Sequence, residues 1–568
     1  MITLNGGRFE APLNAPYVKE LTTAFWRKSY NCYWTEELER VLPVLDYLSP
    51  ELRAQLLGVQ SSFAASSATK PSGEYEVKVK EGRKLYDYQL ASVEFILGRK
   101  DTLLAEDAGT GKTAIMITAA NTIGAKRILV VCPAIAKYNW ALKEWPKWAV
   151  DESLTVGVVE KDNWVDTDVV IINYDILDRH KSRIQAVEWD VLFVDESHRI
   201  NNISAKRTVM VLGGNISLAP SAAYKFGFIT EAQRDSYGSD RKRKFLIPPI
   251  SAGKRVFATA TPMNLPRDLW TVCHAFDPDG IGKDWKQFHA LYCGLRRTEY
   301  GWDTKGSTNL KELGARLRST FMVRHDATEV LDLPPLREDM FLLPPVKIAI
   351  DEEEGFVSEN IETLLQFAAA SGHHEITAKS APEDFLRMIG EAIIDNVSLI
   401  GKPEFVALFS KFSEIRKKTG VAKVPDIIDF IRTTTDDLNR PVVVFGYHRE
   451  VLLSLAEEFP GCVLVIGGLS SKKRDEEVDR FQNGETNIFL GNWDAAGEAV
   501  TLTRSSYFVA AELDWRGTAM IQGRKRIHRI TQEHPCNVIY LVSAKSFDSV
   551  VAKKGFSKMR TISRTLDF

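Results

Sequence analysis

The stretch Leu103-Leu104-Ala105-Glu106-Asp107-Ala108-Gly109-Thr110-Gly111-Lys112-Thr113 decides the fold. An apolar run stops, glycines follow at 109 and 111, and Lys112 opens what reads as a helix. Glycines let the backbone turn tightly and approach an anion with no Cβ in the way, and a helix start turns its positive end toward that anion. A loop of this kind wraps the phosphates of a nucleotide in N–H groups. Lys112 is then placed for the β- and γ-phosphates and Thr113 for a magnesium ion. Gly109, Thr110, Gly111, Lys112 and Thr113 are thus the expected cofactor-binding residues, although Glu106 stands where the generic loop has its first glycine.

Downstream, Val191-Leu192-Phe193-Val194 runs into Asp195-Glu196-Ser197-His198. Four apolar residues make a buried strand, whose end carries Asp195 toward the magnesium and leaves Glu196 to orient and deprotonate a water. An acidic pair after a strand is by itself an ordinary solvated strand end; the ordered pairing with the glycine loop points to ATP and Mg2+ as cofactors. Upstream, Gln89 offers an amide with both donor and acceptor, suited to an adenine edge. Near the C-terminus stands Gln522-Gly523-Arg524-Lys525-Arg526-Ile527-His528-Arg529. Arg526 and Arg529 are three apart, share one face of a helix, and fit a γ-phosphate approached across a cleft. The expected catalytic set is Lys112, Asp195, Glu196, Gln522, Arg526 and Arg529, with Thr113 and Asp195 on the metal.

A chain of 568 residues with 44% hydrophobic content supports several globular units. Its 73 Lys and Arg against 75 Asp and Glu leave a net charge of −2, so any grip on nucleic acid comes from local patches. The six cysteines are scattered, with no C-x-x-C pair, which suits a reducing compartment. No apolar run approaches the roughly 20 residues of a membrane span. The expectation is an intracellular protein of cytoplasm or nucleoid, or of the nucleus if eukaryotic, with no membrane partner.

Short β-branched runs between Leu85 and Met263 alternate with helix-like segments, as buried parallel strands do. A second alternation starts near Pro441 and offers five candidate strands. The expected fold class is α/β: two tandem parallel-sheet lobes of the RecA-like kind with helical insertions and a small N-terminal α+β module. The domain expectation is an aromatic module over 1–60, a Ser/Ala/Pro/Gly-rich linker over 61–82, lobe one over 83–335, a helical connector over 336–424 and lobe two over 425–568. His373 and His374 read as a surface loop and not a metal site, for want of a third ligand.

These motifs, in this order, resemble the superfamily-two helicase-like ATPases of the SWI/SNF-like branch over residues 83 to about 550. Leu85 to Gln89 is similar to the glutamine motif, Ala108 to Thr113 to motif I, Val130 to Pro133 with Asn139-Trp140 to motif Ia, Asn173-Tyr174 to motif Ib, and Asp195 to His198 to motif II. Thr259 to Asn264 resembles motif III, Val442 to His448 motif IV, Ala495 to Leu502 motif V and Gln522 to Arg529 motif VI. Ser197, Ala260 and Ala499 depart from the usual small residues of motifs II, III and V. Arg416 to Lys423, Val442 to Glu450 and the pattern Val18-Lys19-Leu21 with Tyr30 to Trp34 resemble HARP-type annealing helicases within that branch.

The resemblance implies a DNA-dependent ATPase that translocates along duplex or branched DNA, without sequence preference, and remodels or anneals it. Pro133, Asn173 and Thr501 are the nucleic-acid contacts it implies. A strand-separating DNA or RNA helicase remains open beside it, and so does an ATP-gated nucleic-acid-binding adaptor without hydrolysis. An insertion over about 213–249 carries Arg241-Lys242-Arg243-Lys244, read as a backbone-phosphate contact or a wedge.

Overall fold

The computed structural model describes residues 61–568 other than 227, 299–300, 345, 372, 374, 395–402, 498–499, 515, 545 and 567–568. Before residue 61 it describes only 3–5, 8–12, 27–29, 32–35 and 48. In that first part the backbone forms β1 (Thr3–Asn5), β2 (Arg8–Pro12), β3 (Arg27–Ser29) and β4 (Cys32–Thr35), an antiparallel sheet of order β1-β2-β4-β3. The aromatics Tyr17, Phe25, Trp26, Tyr30 and Tyr47 lie outside the described residues, as does His374.

Lobe one is built on β5 (Asp101–Leu104), β6 (Ile128–Cys132), β7 (Val156–Val158), β8 (Val169–Asn173), β9 (Trp189–Asp195), β12 (Ala252–Ala258) and β15 (Met322–Val323). They form one parallel sheet of order β15-β5-β12-β9-β6-β8-β7. The continuous apolar runs of β6, β8 and β9 follow from helices covering both faces: Leu129 and Val131 enter one core cluster, Ile128 and Val130 the other, all at most 1% exposed. Each such side chain contributes about 1.5–3 kcal/mol of burial. Helix α1 (Asp87–Leu97) begins where the Gln89 side chain accepts the Tyr86 N–H at 2.9 Å. Helix α2 (Lys112–Ile123) starts at Gly111 and ends at Gly124, both at positive φ.

Lobe two holds β16 (Leu336–Leu343), β17 (Val442–Gly446), β18 (Val463–Val465), β19 (Ile488–Asn492), β20 (Tyr507–Ala510) and β21 (Cys536–Ser543). These six strands are parallel, in the order β16-β21-β20-β17-β19-β18. The sequence offers five of them and places Leu336–Leu343 in a helical connector; the chain there is an edge strand paired over eight residues with β21. Arg337-Glu338-Asp339 breaks its apolar pattern, as charges commonly do on an unpaired edge. The helices that follow are lobe-two core: Phe356, Phe385, Phe405 and Phe412 pack with Phe445, Phe489 and Phe508 of the sheet.

Residues 61–82, read from composition as a linker, are strapped onto lobe one. The Ser66 hydroxyl donates to Met322 O at 2.7 Å, and the Glu94 carboxylate accepts the Ser72 hydroxyl at 2.8 Å and the Gly73 N–H at 2.9 Å. Small residues permit such close backbone approach, which composition alone does not distinguish from flexibility. The insertion is a hairpin, β10 (Gly214–Leu218) with β11 (Arg243–Ile247), carrying two short helices at its tip, and a second antiparallel pair, β13 (Arg296–Thr298) with β14 (Gly301–Asp303), follows β12. Phe245 and Ile247 face the lobe-one core while Lys244 and Leu246 face outward, by the two-residue period of a strand. The helix Phe547–Leu566 buries Ile562 in the lobe-one cluster and so spans both lobes. No described helix is long and apolar enough to cross a membrane.

Candidate active site in the interlobe cleft

The loop between β5 and α2 carries Gly109 at φ +85° and Gly111 at φ +83°, backbone that side chains rarely adopt. The space is also taken: a Cβ on Gly111 would lie 2.5 Å from the Gln89 amide nitrogen. Gln89 Nε2 and the Tyr88 hydroxyl both donate to Thr110 O at 2.8 Å. Gln89, suggested by the sequence for an adenine edge, also braces the loop with its nitrogen and caps α1 with its oxygen. Lys112 Nζ donates to Glu106 O and Asp107 O, each at 2.9 Å. Burial lowers the Lys112 pKa, opposed by the charges of Glu196, Asp107 and Asp195.

Glu106, fully buried, shows why a carboxylate replaces the generic glycine. Its oxygens accept the Ser92 hydroxyl at 2.8 Å and the His325 N–H at 3.1 Å, with His325 Nδ1 at 2.8 Å. Burial would lower the His325 pKa, but Glu106 outweighs it and raises it. The loop is thereby tied to the Phe321–His325 block that leads toward lobe two.

Asp195 ends β9 and Glu196 follows at φ +51°. Trp140 Nε1 donates to Asp195 Oδ2 at 2.9 Å, and the Tyr174 hydroxyl donates to Asp195 O at 2.6 Å. Burial and then the neighbouring Glu196 charge push the Asp195 carboxyl up. Burial also opposes ionisation of Glu196, but the His198 hydrogen bond, Lys112 and Arg526 hold it below the carboxylate range. Among the described residues no group of three His, Cys, Asp or Glu is arranged to hold a metal. A hydroxyl at Thr113 and a carboxylate at Asp195 are hard oxygen donors that fit magnesium, which keeps most of its waters and takes the rest of its shell from phosphate.

Lobe two supplies the cations. Arg526 Nη2 donates to Gly497 O at 2.5 Å; Arg529 Nη1 donates to Val500 O at 3.0 Å and to Thr501 Oγ1 at 2.7 Å. Arg529 lies on the phosphate loop: a Cβ on Gly109 would meet its Nε at 3.1 Å and its Cβ and Cγ at 3.2 Å. Burial and the adjacent Arg526 lower its pKa to about 9, with Glu196 and Glu144 opposing. Gln522 Nε2 donates across the cleft to Thr261 Oγ1 at 2.9 Å, and the Thr518 hydroxyl to Asn264 Oδ1 at 3.0 Å. Lys525 Nζ meets Asp107 Oδ2 at 2.5 Å.

The expected catalytic residues Lys112, Asp195, Glu196, Gln522, Arg526 and Arg529 therefore line one cleft. Of the expected nucleic-acid residues, Thr501 bonds to a member of this set, Arg529. Pro133 follows β6, and Asn173, at the end of β8, is buried with its amide donating to Asp175 Oδ2 at 3.3 Å. Thr501 is exposed and holds Arg529. Sequence reasoning passed over Asp107, Trp140 and Lys525. Trp140 stands in the motif Ia run, but nothing local shows that its indole reaches Asp195. Of the basic insertion, Arg243 stacks 4.7 Å over the Tyr237 ring, while Arg241, Lys242 and Lys244 are exposed.

A glycine loop after one strand, an acidic pair after another and two arginines from the lobe built on a second parallel sheet define a two-lobed α/β protein with its candidate site between the lobes. Residues 88–218 match the SNF2-related domain and residues 422–531 match the helicase conserved C-terminal domain. It is 27% identical over 485 residues to the Xenopus tropicalis SWI/SNF-related matrix-associated actin-dependent regulator of chromatin subfamily A-like protein 1, covering 83% of this chain and 44% of that protein. It is 24% identical over 491 residues to the Homo sapiens DNA annealing helicase and endonuclease ZRANB3, covering 82% of this chain and 39% of that protein. The chain thus spans less than half the length of these two relatives. The Sulfolobus solfataricus SWI2/SNF2 ATPase core in complex with dsDNA aligns with 87% of this chain at 18% identity and a TM-score of 0.35. The fold assignment rests on this chain's own sheets.

Proposed function

We propose that this chain is a DNA-dependent ATPase that translocates along duplex or branched DNA and remodels or anneals it in replication, repair or recombination, inside the cell. The observation that carries the reading is the seat of Arg529 on Gly109: cations of lobe two meet the phosphate loop of lobe one. In this reading the loop N–H groups of Gly109 to Thr113 and the Lys112 ammonium bind the triphosphate, and Gln89 holds the loop's shape. Thr113 and Asp195 would hold magnesium, which when bound offsets charge on the phosphates. Glu196 holds the attacking water and takes its proton; its low pKa keeps it ionised. Arg526 and Arg529 stabilise the charge that spreads over the transferred phosphoryl group.

Lobe closure and DNA grip are linked through one residue. Thr501, in a loop that this reading gives to the DNA backbone, accepts a hydrogen bond from Arg529, so a shift of that loop moves the arginine. Loops at Pro133 and Asn173 add backbone N–H contacts, which follow a phosphate chain without reading its sequence. The exposed Arg241, Lys242 and Lys244 contribute a further backbone contact. The domains follow the same logic: an N-terminal module over 1–60, lobe one to about residue 335, and lobe two beyond it, including β16 and the helices after it.

Phosphate release measured with no nucleic acid, duplex, forked DNA, single-stranded DNA and RNA tests this. Stimulation by duplex or forked DNA that vanishes in Lys112→Ala is the expected result. Release unaffected by any DNA would overturn it. Triplex displacement beside strand displacement then separates translocation from unwinding.

A further inference from the structure

Among the interlobe contacts, the ion pair of Asp107 with Lys525 ties the phosphate loop itself to lobe two without using the two arginines. Asp107 Oδ2 and Lys525 Nζ, 2.5 Å apart, join the phosphate loop to the turn that carries Arg526 and Arg529, with side chains 5% and 7% exposed. Asp107 is also the loop's organiser: its Oδ1 accepts the Ala108 N–H at 2.7 Å, and its carbonyl accepts the Thr110 hydroxyl at 2.7 Å and the Lys112 ammonium at 2.9 Å. Its Oδ2 also accepts the Ala327 N–H at 3.4 Å, from the segment leading to lobe two.

Resting on the ATPase reading above, we propose that Asp107 and Lys525 form a positioning latch that sets the register of the closed lobes and thereby seats Arg529 on Gly109. Lys525 is the residue before Arg526 and one turn before Arg529, so drawing its ammonium to Asp107 fixes where both guanidinium groups fall. Because Asp107 shapes the loop through its own backbone, the latch closes on a loop that is already in its binding conformation. The pair gives specificity of alignment more than stability, since taking two charges out of water offsets most of their attraction.

Removing one partner leaves a desolvated charge. In a core that charge stays trapped; here the lobes can part and let water reach it. Removing both partners takes away the reason to open. Latching and mere structural support therefore differ in what the double variant does.

The test compares Lys525→Met, Asp107→Asn and the double variant by DNA-stimulated turnover, by affinity for a non-hydrolysable ATP analogue, and by small-angle scattering. Each single variant is expected to lose about tenfold or more in kcat while nucleotide affinity changes less than about threefold, and to scatter as a more open particle. The double variant is expected to be no slower than the slower single and to scatter as compactly as the parent, as coupled residues do. Losses that multiply in the double variant, affinity that falls as far as kcat, or parental rates in either single overturn the latch. If the parent chain hydrolyses no ATP with DNA, the functional reading fails instead, and scattering by the singles against the double still decides the latch.

Discussion

The two walls of the cleft are built on opposite plans. Lobe one presents loops at strand ends, each held by hydrogen bonds from its own lobe: Gln89 and Tyr88 on Thr110 O, Trp140 on Asp195, His198 beside Glu196. Lobe two presents cations on a single turn, steadied by the carbonyls of Gly497 and Val500. One wall is acidic and donates backbone N–H groups; the other is basic, its cations gathered on one turn. On the function proposed above, the difference places binding chemistry in lobe one and makes charge the contribution of lobe two.

That division is open to attack from its strongest side first. Arg529→Ala is expected to lower DNA-stimulated turnover by about a thousandfold, in the range for a transition-state arginine, with nucleotide affinity nearly kept; an equal loss of affinity would put ground-state binding in lobe two as well. Glu196→Gln is expected to slow hydrolysis by roughly 10²–10⁴-fold while the chain still retains ATP, and rapid release of intact ATP from that variant would contradict its role on the water.

A smaller effect separates the lobes by stability. Glu353 of the lobe-two helical layer accepts the Phe547 N–H with both oxygens at 3.1 Å, and burial pushes its carboxyl up to about 8 from an ordinary 4.5. Folding therefore takes up a proton between those values: the contribution is whole below about 4.5 and is lost as pH rises through 8. Thermal melting from pH 6 to pH 9 is expected to weaken lobe two, and Glu353→Gln to flatten that dependence; an identical slope in both proteins removes Glu353 from the account. The least effect is on DNA grip. Replacing Arg241, Lys242 and Lys244 with alanine is expected to reduce the slope of log affinity against log salt by up to about 3, since each phosphate contact adds about 0.9. An unchanged slope means the insertion never touches the backbone.

Much of the cleft was legible because its chemistry is local. Two glycines before Lys112, an acidic pair after an apolar run and two arginines three apart each mark a candidate site within a few residues, although the arginines lie on the turn after the helix Gly517–Arg524 and not on a helix face. Edge and strap were not legible. Leu336–Leu343 hides its strand behind Arg337-Glu338-Asp339, and residues 61–82 read as a linker although Ser66 and Gly73 bond to lobe one. Gln89 was found for its amide, but that the amide also braces Thr110 O was not legible, because nothing local shows the loop folding back onto α1.

The order of motifs along the chain determined by itself that two parallel sheets would bring a glycine loop, two carboxylates and two arginines to one class of site, because strand-to-loop junctions place functional groups by local geometry. Only the tertiary structure decided which opposite charges meet. Asp107 and Lys525 lie 418 residues apart, and nothing near either one names its partner until the lobes close.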